Sequence, residues 1–467
     1  MSARVATPGL CEISESALQD VLLSQETHVD HYGGRRLPIA CVRGHGIEIE
    51  AVHLAAGRRG EPLHLLDASG GYGSACLGAG HEAMRQSLER CMLQGGYVTD
   101  ELASLERARL LSWLFGDGGL WTGHFPPGEY HVAGRNSGSE GLELAFRLVL
   151  ESRFDHRRLR YRPGMAERNT ILAFEGAWHG WTSGLLPLLN RRHYTMGLPG
   201  LAPLDQYGVR VDHIPFGDLA ALREYFVANA GRLLAVFTEP IQGDAGILVP
   251  PAGYLRALSG LCAAEGALLV ADEVLTFAKS GAMFAMRDEG DPVPADITVV
   301  GKSLGMGVLS TSMVIARRGL NVRQTGAVAT SDLRPITCAV VHDGLRHIVA
   351  ADLIGHSREL GARLSAGLGT ELVERFPRTY TAARGVGVLH GVELSPAAAS
   401  RVPELRESLA AAGVYVEFMA GAGRRSGGLR YIHPTMRVAP PLVTTPAQVD
   451  EIIARLAEGT RRFQTAS

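Results

Sequence analysis

The stretch from Ala267 to Lys302 decides the fold: it begins ALLVADE (267–273) and ends ITVVGK (297–302). Each apolar run is bounded by charge or by glycine, a pattern typical of fully buried parallel strands. Asp272 ends the first strand, and Lys302 follows the second. Ligands of open α/β sheets bind in the crevice outside the carboxyl ends of the strands. The stretch therefore predicts a site to which separate strands contribute an acid and an amine.

Further strands are predicted at 170–174, 233–237 and 312–316, and a helix at 251–264 joins two of the strands into a βαβ unit. The predicted fold is α/β, with a large domain built on a mostly parallel sheet between layers of helices and a smaller α/β domain at the C-terminus. We expect three parts: an N-terminal arm (1–65), a large domain that carries the site (66–340) and the small domain (341–467), in which 342–372 forms a long helix with breaks.

Composition excludes several classes of function. The 467 residues carry a net charge of -2 without a long basic block, so no nucleic-acid partner is expected. We find no apolar segment of membrane-spanning length, and the six cysteines lack the paired spacing of a zinc site or a disulfide framework. We therefore predict no membrane partner and no metal, and a cytoplasmic location.

A small polar loop, Ser137-Gly138-Ser139, lies between a predicted strand at 130–133 and an amphipathic helix. The free N–H groups and the positive dipole end of a helix start can bind a phosphate. An ordinary N-cap gives the same local sequence, so both interpretations stay open.

Aromatic and polar residues follow two other strands. Trp178 and His179 come just after the 170–174 strand, and Trp178 is placed either to stack on a flat ligand or to pack in the core. Glu239 and Gln242 follow the 233–237 strand. Charged and turn-forming residues thus recur at one end of the predicted sheet.

Three interpretations of Asp272 and Lys302 compete. A nucleotide-binding P-loop would need glycine where this chain has Asp296, and the Gly-rich segment 421–428 opens no evident helix, so we interpret it as a loop. A salt bridge at the sheet edge is a second possibility. The third is pyridoxal phosphate chemistry, in which a lysine forms a Schiff base and an acid keeps the pyridine nitrogen protonated.

A family resemblance favours the third interpretation. Residues from about 65 to 455 resemble the class III (omega-type) aminotransferases, pyridoxal-phosphate enzymes of fold type I, through EPIQG (239–243), PPAGYL (250–255), ADEV (271–274) and Gly301-Lys302. The resemblance implies that Lys302 is the Schiff-base lysine and that Asp272 pairs with the ring nitrogen. It also implies a set of cofactor contacts: Ser137, Gly138, Ser139, Trp178, His179, Glu239, Gln242 and Val274.

Two more positions follow from the resemblance. Thr330 aligns with a threonine that reaches the phosphate of the neighbouring subunit, which implies a homodimer with active sites at the subunit interface. Arg437 corresponds to an arginine that binds a substrate carboxylate, with Glu239 as its partner when no carboxylate is present. The sequence departs from the family pattern at Ser331–Arg334, next to the expected subunit contact.

The predicted function is a transaminase reaction between an amine donor and a carbonyl acceptor, both small molecules. The pocket directs what the cofactor does, so an aminomutase, a racemase or a decarboxylase on the same scaffold is the alternative. A protein that only binds the cofactor is a second alternative, and the presence of both Lys302 and Asp272 argues against it.

Overall fold

A computed structural model of the protein describes residues 13–29, 36–95, 101–190, 208–320, 329–419, 423–426, 429–432 and 434–466. The N-terminal part begins with a helix and an antiparallel three-stranded meander. Its elements are α1 (Glu15–Thr27), β1 (Ile39–His45), β2 (Glu48–His53), β3 (Pro62–Asp67), α2 (Gly70–Gly73), α3 (Glu82–Gln94) and α4 (Leu105–Phe115).

The middle of the chain forms the central sheet and the helices that cover it. Its elements are β4 (Tyr130–Arg135), α5 (Gly138–Glu151), β5 (Phe154–Asp155), β6 (Arg160–Tyr161), β7 (Thr170–Phe174), β8 (Arg210–Ile214), α6 (Leu219–Ala228), β9 (Leu233–Thr238), α7 (Tyr254–Glu265), β10 (Leu268–Glu273), β11 (Arg287–Asp288), β12 (Asp291–Pro292), β13 (Ile297–Val300) and β14 (Ser312–Arg317). Short helical turns at Leu186–Leu188, Lys302–Gly305 and Arg318–Leu320 join them.

The central sheet has seven strands in the order β4-β14-β13-β10-β9-β7-β8. Neighbours from β13 to β8 pair in parallel, and β14 is antiparallel to both β13 and β4. The predicted mostly parallel sheet is confirmed. Strands β9 and β13 are buried along their whole length, as their continuous aliphatic runs indicate.

Each face of the sheet is covered by a helix whose apolar residues recur with helical spacing. On one face α5 packs Leu142, Phe146 and Val149 against Val270 and Val299. The opposite face carries α7, whose Leu255, Leu258 and Cys262 belong to a cluster with Leu269 and Ala271. Alternate residues of β10 therefore enter opposite cores, and burying each such side chain contributes about 1.5–3 kcal/mol.

The C-terminal part combines helices with two small sheets. Its elements are α8 (Pro335–Ala350), α9 (Leu353–Leu368) with a wide turn at Gly369–Glu374, β15 (Tyr380–Val386), β16 (Leu389–Leu394), α10 (Pro396–Ala399), α11 (Val402–Ala411), β17 (Val414–Tyr415), β18 (Glu417–Met419), β19 (Gly423–Ser426), β20 (Leu429–Ile432), β21 (Thr435–Val438) and α12 (Pro446–Thr465). One sheet has the order β15-β16-β21-β18, and β17 joins the meander in the order β1-β2-β3-β17.

Three expectations about this part meet the structure differently. The long helix with breaks is two helices, because Asp352 adopts a left-handed φ of 44° and caps α9 by accepting from Gly355 N. The loop prediction for 421–428 is wrong where the structure describes it, since β19 pairs with β20. The predicted domain limits fall inside β3 and α8, and the division into domains stays a prediction.

No helix among the described residues is long and apolar enough to span a bilayer.

Candidate active site

A cavity of about 710 Å³ opens at the carboxyl ends of the central strands. It is also bordered by the α2 turn and by strands β18 and β21 of the small sheet. All of the predicted site residues line this cavity except Gln242 and Thr330: Ser137, Gly138, Ser139, Trp178, His179, Glu239, Asp272, Val274, Lys302 and Arg437. The structure thus brings together residues that are up to three hundred positions apart in sequence.

Asp272 stands at the end of β10 and is held in a fixed orientation. Its Oδ2 atom lies 2.9 Å from His179 Nδ1, and its Oδ1 atom accepts a hydrogen bond from Val274 N at 3.0 Å. Both Asp272 and His179 are buried. A buried carboxylate that is hydrogen-bonded on both oxygens keeps its position when a positively charged partner arrives.

Lys302 follows β13, the strand that pairs in parallel with β10 and places Val299 beside Asp272. Its φ of 45° is left-handed, which is rare for a residue other than glycine and clusters at functional sites. Burial, and then the charge of Arg437, lowers the pKa of the Lys302 ammonium to about 8. A substantial fraction of the neutral, nucleophilic amine is therefore present near neutral pH.

The sequence has only two lysines among its 46 lysine and arginine residues, and the structure describes both. The second, Lys279, is buried beside the site and does not line the cavity. Its Nζ atom donates to Gly73 O at 2.5 Å and to Ser303 Oγ at 2.7 Å, and burial lowers its pKa. Lys302 is thus the one lysine of the chain whose side chain faces the cavity.

The N-terminus of α5 forms one end of the cavity. Ser137 is an N-cap, because its Oγ accepts from Glu140 N at 3.2 Å, so both interpretations drawn from the sequence describe the same residue. A Cβ atom on Gly138 would lie 2.6 Å from Val274 Cγ1. The backbone N–H groups of Gly138 and Ser139 lie in the first turn, where no intrahelical acceptor exists. This end of the cavity suits an anion.

Two side chains supply walls for a flat ligand. Trp178 and Val274 both line the cavity. Trp178 also stacks on Trp181, with ring centroids 5.1 Å apart and 24° between the ring planes. Trp181 was not identified from the sequence, although it stands three residues after Trp178 in the same loop.

Gln242 is fully buried and does not line the cavity. Within the described part of the chain, neither its Oε1 nor its Nε2 atom has a hydrogen-bond partner. Such groups are expensive to bury unless something else satisfies them. Thr330, by contrast, is exposed and lies outside the cavity.

The predicted pairing of Arg437 with Glu239 is wrong. Arg437 Nη2 is ion-paired with Glu417 Oε2, because Glu417 on β18 stands directly opposite Arg437 in the antiparallel ladder with β21. Both side chains are 5 % exposed. The other oxygen of Glu417 accepts from Tyr72 N at 2.9 Å.

Glu239 is held by two backbone N–H groups instead. Its two oxygens accept hydrogen bonds from Trp178 N at 3.0 Å and Gly243 N at 2.9 Å. Burial, and then the charge of Asp272, raises the pKa of the Glu239 carboxyl to about 7. Both oxygens of Glu239 are therefore engaged by backbone N–H groups.

Sequence reasoning missed Tyr72 and Glu417 and did not assign Asp244, all of which line the cavity. Glu417 is the one acid in the apolar run VYVEFM (414–419), which was a usable signal. Tyr72 lies in the turn Gly70–Gly73, whose four residues all have positive φ. Nothing in the local sequence shows that this turn reaches the active site.

The donor set fits pyridoxal phosphate. The cavity presents an anion-binding helix start, two walls, an oriented acid and one lysine, and the orphaned amide of Gln242 is buried but does not line it. No group of three or more His, Cys, Asp or Glu residues in the described ranges could hold a metal ion. Fold and site together define a pyridoxal-phosphate-dependent enzyme of fold type I.

Comparison with known proteins identifies the family. The class III aminotransferase model matches residues 38–459, so this chain belongs to that family. The chain is 30% identical over 431 residues to the ornithine aminotransferase of Bordetella pertussis, covering 90% of this chain and 91% of that protein. It is also 30% identical over 425 residues to the acetylornithine aminotransferase of Mycolicibacterium smegmatis, covering 90% and 93%. The match to the mitochondrial ornithine aminotransferase of rice spans 68% of this chain and 62% of that protein.

Solved structures show the same fold. The ornithine aminotransferase of Toxoplasma gondii has a TM-score of 0.78 at 22% identity and covers 98% of this chain and 97% of its own. A transaminase from the marine bacterium Virgibacillus has a TM-score of 0.79 at 20% identity, with coverage of 96% and 99%. The predicted fold, cofactor and aminotransferase activity are confirmed.

Proposed function

We propose that Lys302 and Asp272 are the catalytic residues of this aminotransferase. Lys302 would hold pyridoxal phosphate through Nζ as the predicted Schiff-base lysine, and Asp272 would pair with the ring nitrogen. The observation that carries the proposal is the geometry of two adjacent strands: the one lysine that faces the cavity and a hydrogen-bonded acid stand at their carboxyl ends.

Bound pyridoxal phosphate supplies an electron sink for charge that develops on the substrate carbon. Lys302 Nζ, whose pKa of about 8 leaves part of it neutral, accepts the proton from the amine-bearing carbon of the donor. In the donor half-reaction Nζ would pass this proton to the aldehyde-derived carbon of the cofactor. In the acceptor half-reaction it would move a proton from that carbon to the carbonyl-derived carbon of the acceptor. The hydrogen bond between Asp272 and His179 keeps the acid oriented.

The remaining cofactor contacts follow from position. The N–H groups of Gly138 and Ser139, with Ser137, hold the phosphate at the start of α5. Trp178 and Val274 enclose the ring, and His179 acts through Asp272. The orphaned Gln242 amide is available to the ring hydroxyl.

Arg437 and Glu239 are proposed to contact the small-molecule amine and carbonyl substrates. Both line the cavity beyond Lys302. An arginine fork suits a carboxylate, but here Glu417 already holds Arg437. Which substrates the site takes therefore depends on this ion pair.

Thr330 is proposed to contact the phosphate bound in a partner subunit, which makes the active form a homodimer with active sites at the interface. In support, Thr330 is exposed on a turn that docks beside the phosphate end: Asp332 Oδ1 accepts from Gly134 N at 2.6 Å. A cytoplasmic location is supported by the five described cysteines, which are all free thiols.

A screen of amine donors tests the reaction. Each donor is mixed with the cofactor-loaded enzyme, and absorbance follows the conversion of the cofactor to its amino form. Transamination converts the cofactor stoichiometrically and yields the carbonyl product of the donor. Turnover without accumulation of the amino form would instead point to a racemase, decarboxylase or aminomutase.

A further inference from the structure

The ion pair of Glu417 and Arg437 lines the cavity from the small sheet, whereas the proposed Schiff-base lysine and ring-nitrogen acid come from the central sheet. Both side chains line the cavity and both are almost completely buried. Neither residue belongs to the cofactor contacts. We therefore expect the pair to influence which substrates bind beside the cofactor.

Glu417 is fixed in place by two different parts of the chain. Its position directly opposite Arg437 is set by the β18–β21 ladder, and Tyr72 N from the α2 turn holds its second oxygen at 2.9 Å. Moving Glu417 away would leave a buried carboxylate without partners, which is strongly unfavourable. The pair is thus part of the structure of the cavity and does not open freely.

A substrate carboxylate would have to compete with Glu417 for Arg437. Arginine binds a carboxylate through two N–H groups at once. In this structure the Nη2 group of Arg437 is already paired with Glu417, and its Nη1 group lies 3.7 Å from Met419 Sδ. Asp244 also lines the cavity, and its carboxylate adds negative charge near the same side chain. An incoming carboxylate would therefore meet a guanidinium whose charge is already neutralised, and a neighbouring carboxylate would repel it.

We propose that Glu417 is a specificity-determining residue: it holds Arg437 in place of a substrate carboxylate, so that the site selects amines and carbonyl compounds without a carboxylate at this end. The proposal rests on the proposed substrate contact of Arg437. Within the described residues Arg437 Nε has no acceptor. Removing the charge of Glu417 would therefore leave the Arg437 guanidinium without its carboxylate partner and able to pair with a substrate carboxylate.

Two donors that differ only in a terminal carboxylate, n-butylamine and γ-aminobutyrate, measure this selectivity. Each donor is mixed with the cofactor-loaded wild type or with Glu417→Gln, and the loss of cofactor absorbance gives kcat/KM for the donor half-reaction. We then compare these values between the two proteins. We expect Glu417→Gln to raise the ratio of γ-aminobutyrate to n-butylamine by about 10- to 100-fold, the value of one charge-assisted hydrogen bond. The change should appear mainly in KM for γ-aminobutyrate, because Lys302 is untouched.

Glu393→Gln is the matched control, since the buried Glu393 is ion-paired with the half-buried Arg384 at 3.0 Å in the same small sheet but outside the cavity. Glu417→Asp, which keeps the charge but shortens its reach, should shift the ratio in the same direction by less and serves if the Gln variant folds poorly. A ratio in both Glu417 variants within about twofold of wild type, or an equal shift in Glu393→Gln, would overturn the proposal. Conversion of the cofactor with either amine shows that the aminotransferase reaction itself is intact.

Discussion

The two ends of the cavity are built in different ways. At the cofactor end, the functional residues stand at strand ends or at a helix start: Asp272 lies at the end of β10, Lys302 comes just after β13, and Gly138 begins α5. At the substrate end, Glu417 and Arg437 meet because two short antiparallel strands pair across a hairpin. The cofactor end depends on local sequence patterns, whereas the substrate end depends on the register of strands in the small sheet.

This difference indicates how each end tolerates change. The cofactor end is fixed by a deeply buried sheet, so substitutions there should remove chemistry without altering the fold. The substrate end is a buried charge pair on a small sheet, so substitutions there should alter selectivity. The following changes test the cofactor end, from the largest expected effect to the smallest.

Replacing Lys302 with alanine should lower turnover by about 1,000-fold or more, because it removes both the covalent attachment and the proton-transfer group. Steady-state rates measure the loss, and thermal unfolding checks that the variant is folded. Lys279→Ala, which removes the other lysine, should retain the absorbance of covalently bound cofactor. A Lys302→Ala enzyme with wild-type turnover would refute the assignment.

Replacing Asp272 with asparagine should lower kcat by roughly 100- to 1,000-fold, since the amide keeps the shape but loses the charge beside the cofactor ring. Asp296→Asn is the matched control. Asp296 accepts a hydrogen bond from Leu269 N at 2.8 Å near the start of β10, at the end of the strand that is opposite the cavity. Equal losses in the two variants would mean that Asp272 acts through stability and not through charge.

Replacing Gly138 with alanine should weaken cofactor binding by about 10- to 100-fold, because the new Cβ atom would lie 2.6 Å from Val274 Cγ1 and would push α5 away from the phosphate. Equilibrium dialysis of the cofactor measures the change. Gly260→Ala is the control, since the added methyl meets nothing within 4 Å and raises helix propensity in α7. Unchanged affinity in Gly138→Ala would place the phosphate elsewhere.

Covalent cofactor uptake by the apoenzyme should speed up as the pH rises through about 8. The pKa of Lys302 is lowered to about 8, so the neutral amine predominates above that pH, and each unit below it should slow uptake about tenfold. Stopped-flow absorbance measures the rate. Binding of pyridoxamine phosphate, which forms no bond with lysine, should show a much weaker dependence between pH 6 and 8, and equal profiles for both ligands would contradict the role of Lys302.

Most of the predicted site residues line one cavity because each has a local signal in the sequence. Asp272 and Lys302 end aliphatic runs, and Ser137 precedes an amphipathic helix. The partner of Arg437 was predicted wrongly because strand register between distant segments leaves no local pattern. Tyr72 was missed because the position of its turn also depends on a residue that is distant in sequence. Lys279 Nζ donates a hydrogen bond to Gly73 O and so holds the turn beside the cavity.

Reduction of the cofactor-loaded enzyme with borohydride, followed by peptide mapping, tests the central claim most directly. The bond between cofactor and amine becomes permanent, and the chain offers only two lysines for it. The account predicts that the pyridoxyl group lies on Lys302, in the peptide that contains Gly301 and Ser303. A pyridoxyl group on Lys279, or on neither lysine, would contradict it.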